Sequence, residues 1–383
     1  MKNKGVKILL IVASCLVVFG CVFTIIGFFS GASLNAYIDN TGLHITPRHN
    51  NEEIQEDKIT TDMDLEKFNN IELSIDYSDV EIKYGESYGI EIKTNSTYNQ
   101  TTIDYKIENN TLKIDGNTDG KSTKRWFNFD IRGLFSGEKS IYNSDNKVTI
   151  FVPRDAVIDK MDVFSNMGTI VVDGISSNTI SLKALFGDVK AINTNSTQAT
   201  FNLSSGKLTI ENSNINNCQI DNSYGDIILT NIISDGFTAN CSAGRIKIED
   251  GNIKNANIIN SYGDIDLEGK LESINAQCSM GRVKLSGEIS GENILSSDYG
   301  NVDIEGTLYG NYDISADMGE IEVSTSLKES EYNLDLSADM GNIKIGDKNE
   351  RNGAQINNNG AQNNIKAHAD MGEINISFED DDD

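Results

Sequence analysis

The stretch DNSYGDIILT (residues 221–230) has a near-copy in INSYGDIDLE (259–268) and a looser one in SSDYGNVDIE (296–305). Each carries an aromatic, a glycine, an acid or amide, and then alternating aliphatics. A glycine followed by an acid suits a metal or phosphate loop. It equally suits a bend repeated in every turn of a stacked structure. The spacing decides between them. Gly168, Gly187, Gly206, Gly225, Gly244, Gly263, Gly281, Gly300 and Gly319 follow one another at 19, 19, 19, 19, 19, 18, 19 and 19 residues. Gly341 and Gly372 continue the series with insertions of three and twelve residues. A period of this length marks a repeat architecture, in which no unit buries its apolar face except against its neighbours.

Alignment on the glycine gives the strands. Two residues after it stand Ile170, Val189, Leu208, Ile227, Ile246 and their successors, and four after it Val172, Ala191, Ile210, Leu229 and Ile248. Period-two alternation of branched residues predicts a strand with one buried face. Five before the glycine, Val163, Leu182, Phe201, Ile220 and Ile258 predict a second strand. The residue just before the glycine shares the parity of that strand: Met167, Phe186, Ser205, Tyr224, Ala243, Tyr262, Met280, Tyr299, Met318, Met340 and Met371. These are therefore expected to fill a core column, with the glycine carrying the chain through a bend or bulge. The fold class predicted is all-β: a β-solenoid-like stack of ~19-residue two-strand repeats, with neighbouring strands about 4.8 Å apart.

Immediately after the glycine stand Asp188, Lys207, Asp226, Arg245, Asp264 and Arg282. If successive repeats are neighbours in space, acids and bases alternate along a ladder of favourable pairs. Lys207→Glu is then expected to destabilise the middle of the stack. Cys241 and Cys278 each stand three before their glycine, two repeats apart, which exceeds disulfide reach, and Cys218 lies in another column. All three read as small core-facing residues. With Cys15 and Cys21 they make an odd total, unlike a disulfide framework.

The N-terminus reads differently. Ile8–Phe29 contains no charged residue and would span about 33 Å as a helix, enough to cross a bilayer. Lys2, Lys4 and Lys7 precede it, so the start is expected in the cytoplasm and the rest outside. Lipid attachment at Cys15 or Cys21 is the competing reading, although apolar sequence continues past both. Residues 1–30 are thus read as cytoplasmic start and transmembrane helix, and 31–65 as an extracellular tether. Residues 66–160 are read as a β cap with an insertion at 117–146, and 161–383 as the repeat region with an acidic tail. Within the cap, DYSDVEI (76–82) resembles a diverged repeat with Ser78 in place of the glycine. Inside the insertion, Lys124, Arg125, Trp126, Phe127, Phe129 and Arg132 make a basic, aromatic segment in an acidic chain. It reads as a lid over the open end of the stack, or as a contact with membrane or partner.

A net charge of −26 excludes nucleic acid as a natural partner, since phosphate binding needs a basic surface. The three histidines, His44, His49 and His368, fit neither metal-ligand spacing nor a nucleophilic triad. The G-D-I-x-L phrase lacks the nine-residue, glycine-rich period of calcium-binding rolls. No catalytic residue, cofactor or metal ligand is assigned.

The single apolar span, the strand-rich leader and the phrases SYGDIIL, SADMGEIEV, SADMGNIKI and HADMGEINI resemble a bacterial β-strand-repeat family, that of the toastrack-domain "putative adhesins". The resemblance covers nearly everything after residue 65. It implies a non-enzymatic protein of the bacterial cell envelope, adhesin-like or related to envelope stress, and carries over no active-site residues. Expected partners are the membrane through a single span, other envelope proteins, cell-wall polymers or cationic peptides. The alternative reading is a carbohydrate-active enzyme on a β-helix scaffold.

Overall fold

In this computed structural model the described residues are 34–39, 42–47, 57–95, 103–116, 125–129 and 146–379. They fall into two compact units. The smaller holds residues 34–39, 42–47, 57, 95 and 125–129, and the larger the rest. In the smaller unit, Leu34–Asp39 pairs antiparallel with Gly42–Pro47 on one side and with Arg125–Phe129 on the other. The stretch read as a tether therefore contains strands, and the basic aromatic segment supplies one of their partners. The apolar run Ile8–Phe29 lies outside the described residues. Among the described residues no helix is long and apolar enough to cross a membrane.

The larger unit is the stack. Its strands pair parallel and in register with a shift of one repeat, as in Ile227↔Ile246, Leu229↔Ile248 and Ile220↔Ala239. Side chains two and four after each glycine, and three and five before it, are buried and form one continuous core. A short paired segment joins the two strands of a coil, as Ser213↔Ile232 and Ile233↔Asn252 show. The chain enters that segment through a left-handed corner at Gly174, Asn193, Asn212, Asn231 and Asp250. Asparagine and aspartate tolerate this backbone better than other non-glycine residues. Beyond Asp250 the corner changes to a glycine column, Gly269, Gly287 and Gly306, where one interval of the main series shortens to 18 residues.

Repeats adjacent in sequence are not always adjacent in space. Near the end of the chain, Asn363–Met371 and Ile374–Ser377 lie between Asn311–Met318 with Ile321–Thr325 on one side and Tyr332–Ile345 on the other. The order along the stack is thus Gly319, Gly372, Gly341. The chain overshoots by one coil and returns to fill the gap. Lys348–Ile356 pairs antiparallel with Tyr332–Ile345 and covers that end. The other end uses the same device. Asn70–Tyr77 and Asp79–Gly85 form a coil between Ile158–Met167 with Ile170–Asp173 and an outer coil of Thr111–Gly116 with Lys147–Pro153. Gly89–Asn95 and Asp104–Glu108 then close it antiparallel. Both terminal coils are thereby shielded from strand addition. Ser78 occupies the glycine position of its coil, where Ser78 O faces Gly168.

Candidate binding edge along the glycine column

The glycine bend is the most regular edge of the stack. Gly225, with φ at +125°, stacks so closely on Gly206 that an added Cβ would overlap its carbonyl group. The same holds from Gly168 to Gly372. From Gly168 to Gly319 each glycine N–H donates across to the next coil, as Gly206 N does to Tyr224 O at 2.9 Å. In the middle of the stack, the buried column three residues before the bend supplies side-chain donors to the glycine carbonyls. Asn222 Nδ2 donates to Gly206 O at 3.0 Å and Gly225 O at 2.9 Å, and Asn260 Nδ2 to Gly244 O and Gly263 O, both at 2.8 Å. Cys278 Sγ reaches Gly263 O at 3.2 Å, Ser297 Oγ reaches Gly281 O at 2.8 Å, and Cys241 Sγ lies 3.7 Å from Gly225 O. Cys218, Cys241 and Cys278 are free and buried, and burial pushes all three thiols up, Cys278 to about 11.

The residues after the glycine are tied differently from the ladder expected. Asp188 Oδ1 accepts from the backbone N–H of Lys207 at 2.8 Å, Asp226 Oδ1 from Arg245 at 2.9 Å, and Asp264 Oδ1 from Arg282 at 2.9 Å. Asn301 does the same for Glu320 at 3.0 Å. An acid or amide in one coil thus caps the main chain of the next. The basic side chains are not its partners: Arg282 Nε instead lies 3.7 Å from Asp303. Burial, reinforced by Glu322 and Glu320 and opposed by Arg282, raises the Asp303 carboxyl above its ordinary value.

The residues just before the glycine overturn the parity expectation. Phe186, Tyr224, Tyr262 and Tyr299 are 56, 65, 55 and 56 % exposed, and Met280, Met318, Met340 and Met371 are exposed too. Inward parity resumes three before the glycine and two after it, so the four residues between all turn outward. The glycine carbonyl stack occupies the inside of the corner and leaves no room there for a side chain. The outcome is an outward column of aromatics and methionines that the core does not use. In coil order it reads Met167, Phe186, Ser205, Tyr224, Ala243, Tyr262, Met280, Tyr299, so aromatic rings recur at alternate coils.

Beside this column runs a polar groove of about 400 Å³. Its walls are the residues four and two before the glycine, including Asn202, Asp221 and Asn240 opposite Ser204, Ser223 and Ser242. Asn240 Nδ2 donates to Asp221 Oδ1 at 2.7 Å. Asn222 also lines the groove, and its buried Oδ1 has no hydrogen-bond partner among the described residues.

At the far end the out-of-order coil brings together residues that sequence separates. His368 Nδ1 lies 2.8 Å from Ser337 Oγ and its Nε2 2.8 Å from Asp370 Oδ1, with an Asp339 carboxylate oxygen within 4.8 Å. Ser337 pairs with His368 across neighbouring strands, in a register the 31-residue offset conceals. The group lies on an open strand face. Ladder pairing on both sides of His368 engages the local backbone, so no pair of free N–H groups is offered to an oxyanion there. Of the sequence-assigned contact residues, Lys124 and Arg132 lie outside the described residues. Arg125, Trp126, Phe127 and Phe129 lie on the strand opposite Ile38, Tyr37, Ala36 and Leu34.

The family profile described as Toastrack DUF4097 matches residues 68–285, more than half of the chain. The chain belongs to the toastrack family. Among solved structures, this toastrack protein is similar to a "putative cell adhesion protein" from Clostridium sporogenes ATCC 15579, at 12 % identity over 84 % of this chain and 100 % of that one, with a TM-score of 0.22. A "putative adhesin" from Bacteroides fragilis NCTC 9343 is similar at 12 % identity over 84 % of this chain and 97 % of that one, with a TM-score of 0.25. No curated protein matches the sequence.

Proposed function

We propose that the protein is a non-enzymatic, adhesin-like binding module of the bacterial cell envelope. It is tethered by Ile8–Phe29 with its N-terminus in the cytoplasm and its β stack outside. The observation that carries this reading is the outward column of Phe186, Tyr224, Tyr262 and Tyr299. Aromatic side chains that the core does not use, aligned along one edge, are the usual substance of a recognition surface. Catalysis has less support. The polar groups of the stack recur at fixed phase as caps and ladders, and Ser337, His368 and Asp370 engage one another without an oxyanion site. Cell-wall polymers are favoured as partners over envelope proteins and cationic peptides, because the edge is polar and aromatic rather than acidic. The test is adhesion of cells displaying the full chain to isolated bacterial envelopes. Replacing Phe186, Tyr224, Tyr262 and Tyr299 together by Ser should abolish adhesion while leaving the Tm within a few degrees. Undiminished adhesion would refute the reading.

A further inference from the structure

We infer that the edge binds an extended, uncharged β-1,4-linked polysaccharide lying along the stack axis; this deepens the binding-module reading and rests on it. Three features on that edge converge on such a ligand. The first is period. Phe186, Tyr224, Tyr262 and Tyr299 stand at every second coil, with Ser205, Ala243 and Met280 between them. Two coils rise about 10 Å, the length over which a flat β-1,4-linked chain presents the same ring face again, once per disaccharide. A ring under every second sugar is therefore in phase along the whole edge, and an α-linked, helical glycan is not.

The second feature is chemistry. One residue before the outward column, the groove presents Ser204, Ser223 and Ser242 facing Asn202, Asp221 and Asn240. This alternation of hydroxyls with amides and a carboxylate, at one set per coil, suits a polymer with hydroxyl groups at each sugar. Sugar binding joins an apolar ring face to an aromatic and the ring's hydroxyls to polar side chains.

The third is charge. In a chain of −26, the column beside the tyrosines is balanced, with Asp188, Asp226 and Asp264 against Lys207, Arg245 and Arg282. A neutral strip on an acidic molecule matches a neutral polymer, repels an anionic one at longer range, and gives a cationic peptide no local excess of acids.

The test is calorimetric titration of the full chain, purified in detergent, with chitohexaose and cellohexaose, against maltohexaose as the α-linked control. Binding of a β-linked hexasaccharide, weakened roughly three- to tenfold by each of Tyr224→Ala, Tyr262→Ala and Tyr299→Ala and preserved by Tyr262→Trp, is the expected result. The corresponding disaccharide, too short to reach two rings, should bind at least about tenfold more weakly. Equal binding of maltohexaose, or β-glycan binding indifferent to all three tyrosines, would overturn the inference. So would adhesion to envelopes that is lost in the tyrosine variants yet destroyed by protease treatment of the envelopes. That last outcome leaves the binding-module reading standing and makes the ligand a protein.

Discussion

An alanine Cβ placed at Gly225 would lie 2.8 Å from the carbonyl carbon of Gly206, one coil away, and closer still to its oxygen. The neighbour is backbone held in a parallel ladder and cannot give way. Gly225→Ala should therefore cost about 3 kcal/mol or more, combining steric overlap with a backbone angle that side chains resist. Gly346→Ala is the control. Its φ is +54° but nothing lies within 4 Å, so only the backbone cost of about 1 kcal/mol applies. Thermal unfolding of the two variants would separate packing from conformation, and equal losses would contradict the stacked-carbonyl account.

Asp226 holds the Arg245 amide through Oδ1, which asparagine reproduces and alanine does not. Asp226→Asn should keep the wild-type Tm, whereas Asp226→Ala should lose about 1 kcal/mol. Lys207→Glu, which the ladder of alternating charges expected to be harmful, should cost less than Asp188→Ala. The reverse ranking in urea titrations would restore the ladder.

Asn260→Leu removes two bonds to glycine carbonyls inside the core and should cost about 2–3 kcal/mol. Asn260→Ser should recover part of this, because Ser297 performs the same task in its own coil. Chemical denaturation that ranks serine no better than leucine would remove the donor role from this column.

The buried thiols make a pH prediction. Folded-state values raised above the ordinary thiol value of about 8.5 mean that the fold favours the protonated form. Their contribution to stability is complete below that value and is lost as pH rises toward about 11, the folded value of Cys278. At pH 8 a thiol reagent should leave Cys218, Cys241 and Cys278 unlabelled in the native protein and label all three once it is unfolded, as peptide mapping would show.

Asp303 makes another, of the same sign. Its raised carboxyl favours protonation in the fold, so its ionisation at neutral pH weakens the native state. Asp303→Asn should raise stability slightly at pH 7, by about 0.5 kcal/mol or less given solvent screening. That gain should shrink as pH falls below the folded-state value. A gain that grows toward acid pH would show that the Arg282 contact dominates instead.

Sequence alone determined the period, the parallel stack and the identity of the buried columns two and four after each glycine. Those follow from local rules, β alternation and the need of stacked units for one another, and they hold for Ile227 and Leu229 without reference to any other part of the chain. The asparagine corner at Asn193, Asn212 and Asn231 obeys the same period and was open to the same reading. Tertiary structure decided three things. Tyr224 faces outward because the carbonyl stack of Gly206 and Gly225 fills the inside of the corner, a crowding that exists only once coils are superposed. Asp226 caps an amide rather than pairing with Arg245's side chain because the next coil's N–H lies nearer than its guanidinium. Residues 363–377 lie between two earlier coils because pairing within a stack depends on which edge is open, not on chain order. Parity along a strand is a local property; which way a corner turns its side chains depends on what the neighbouring coil has already occupied.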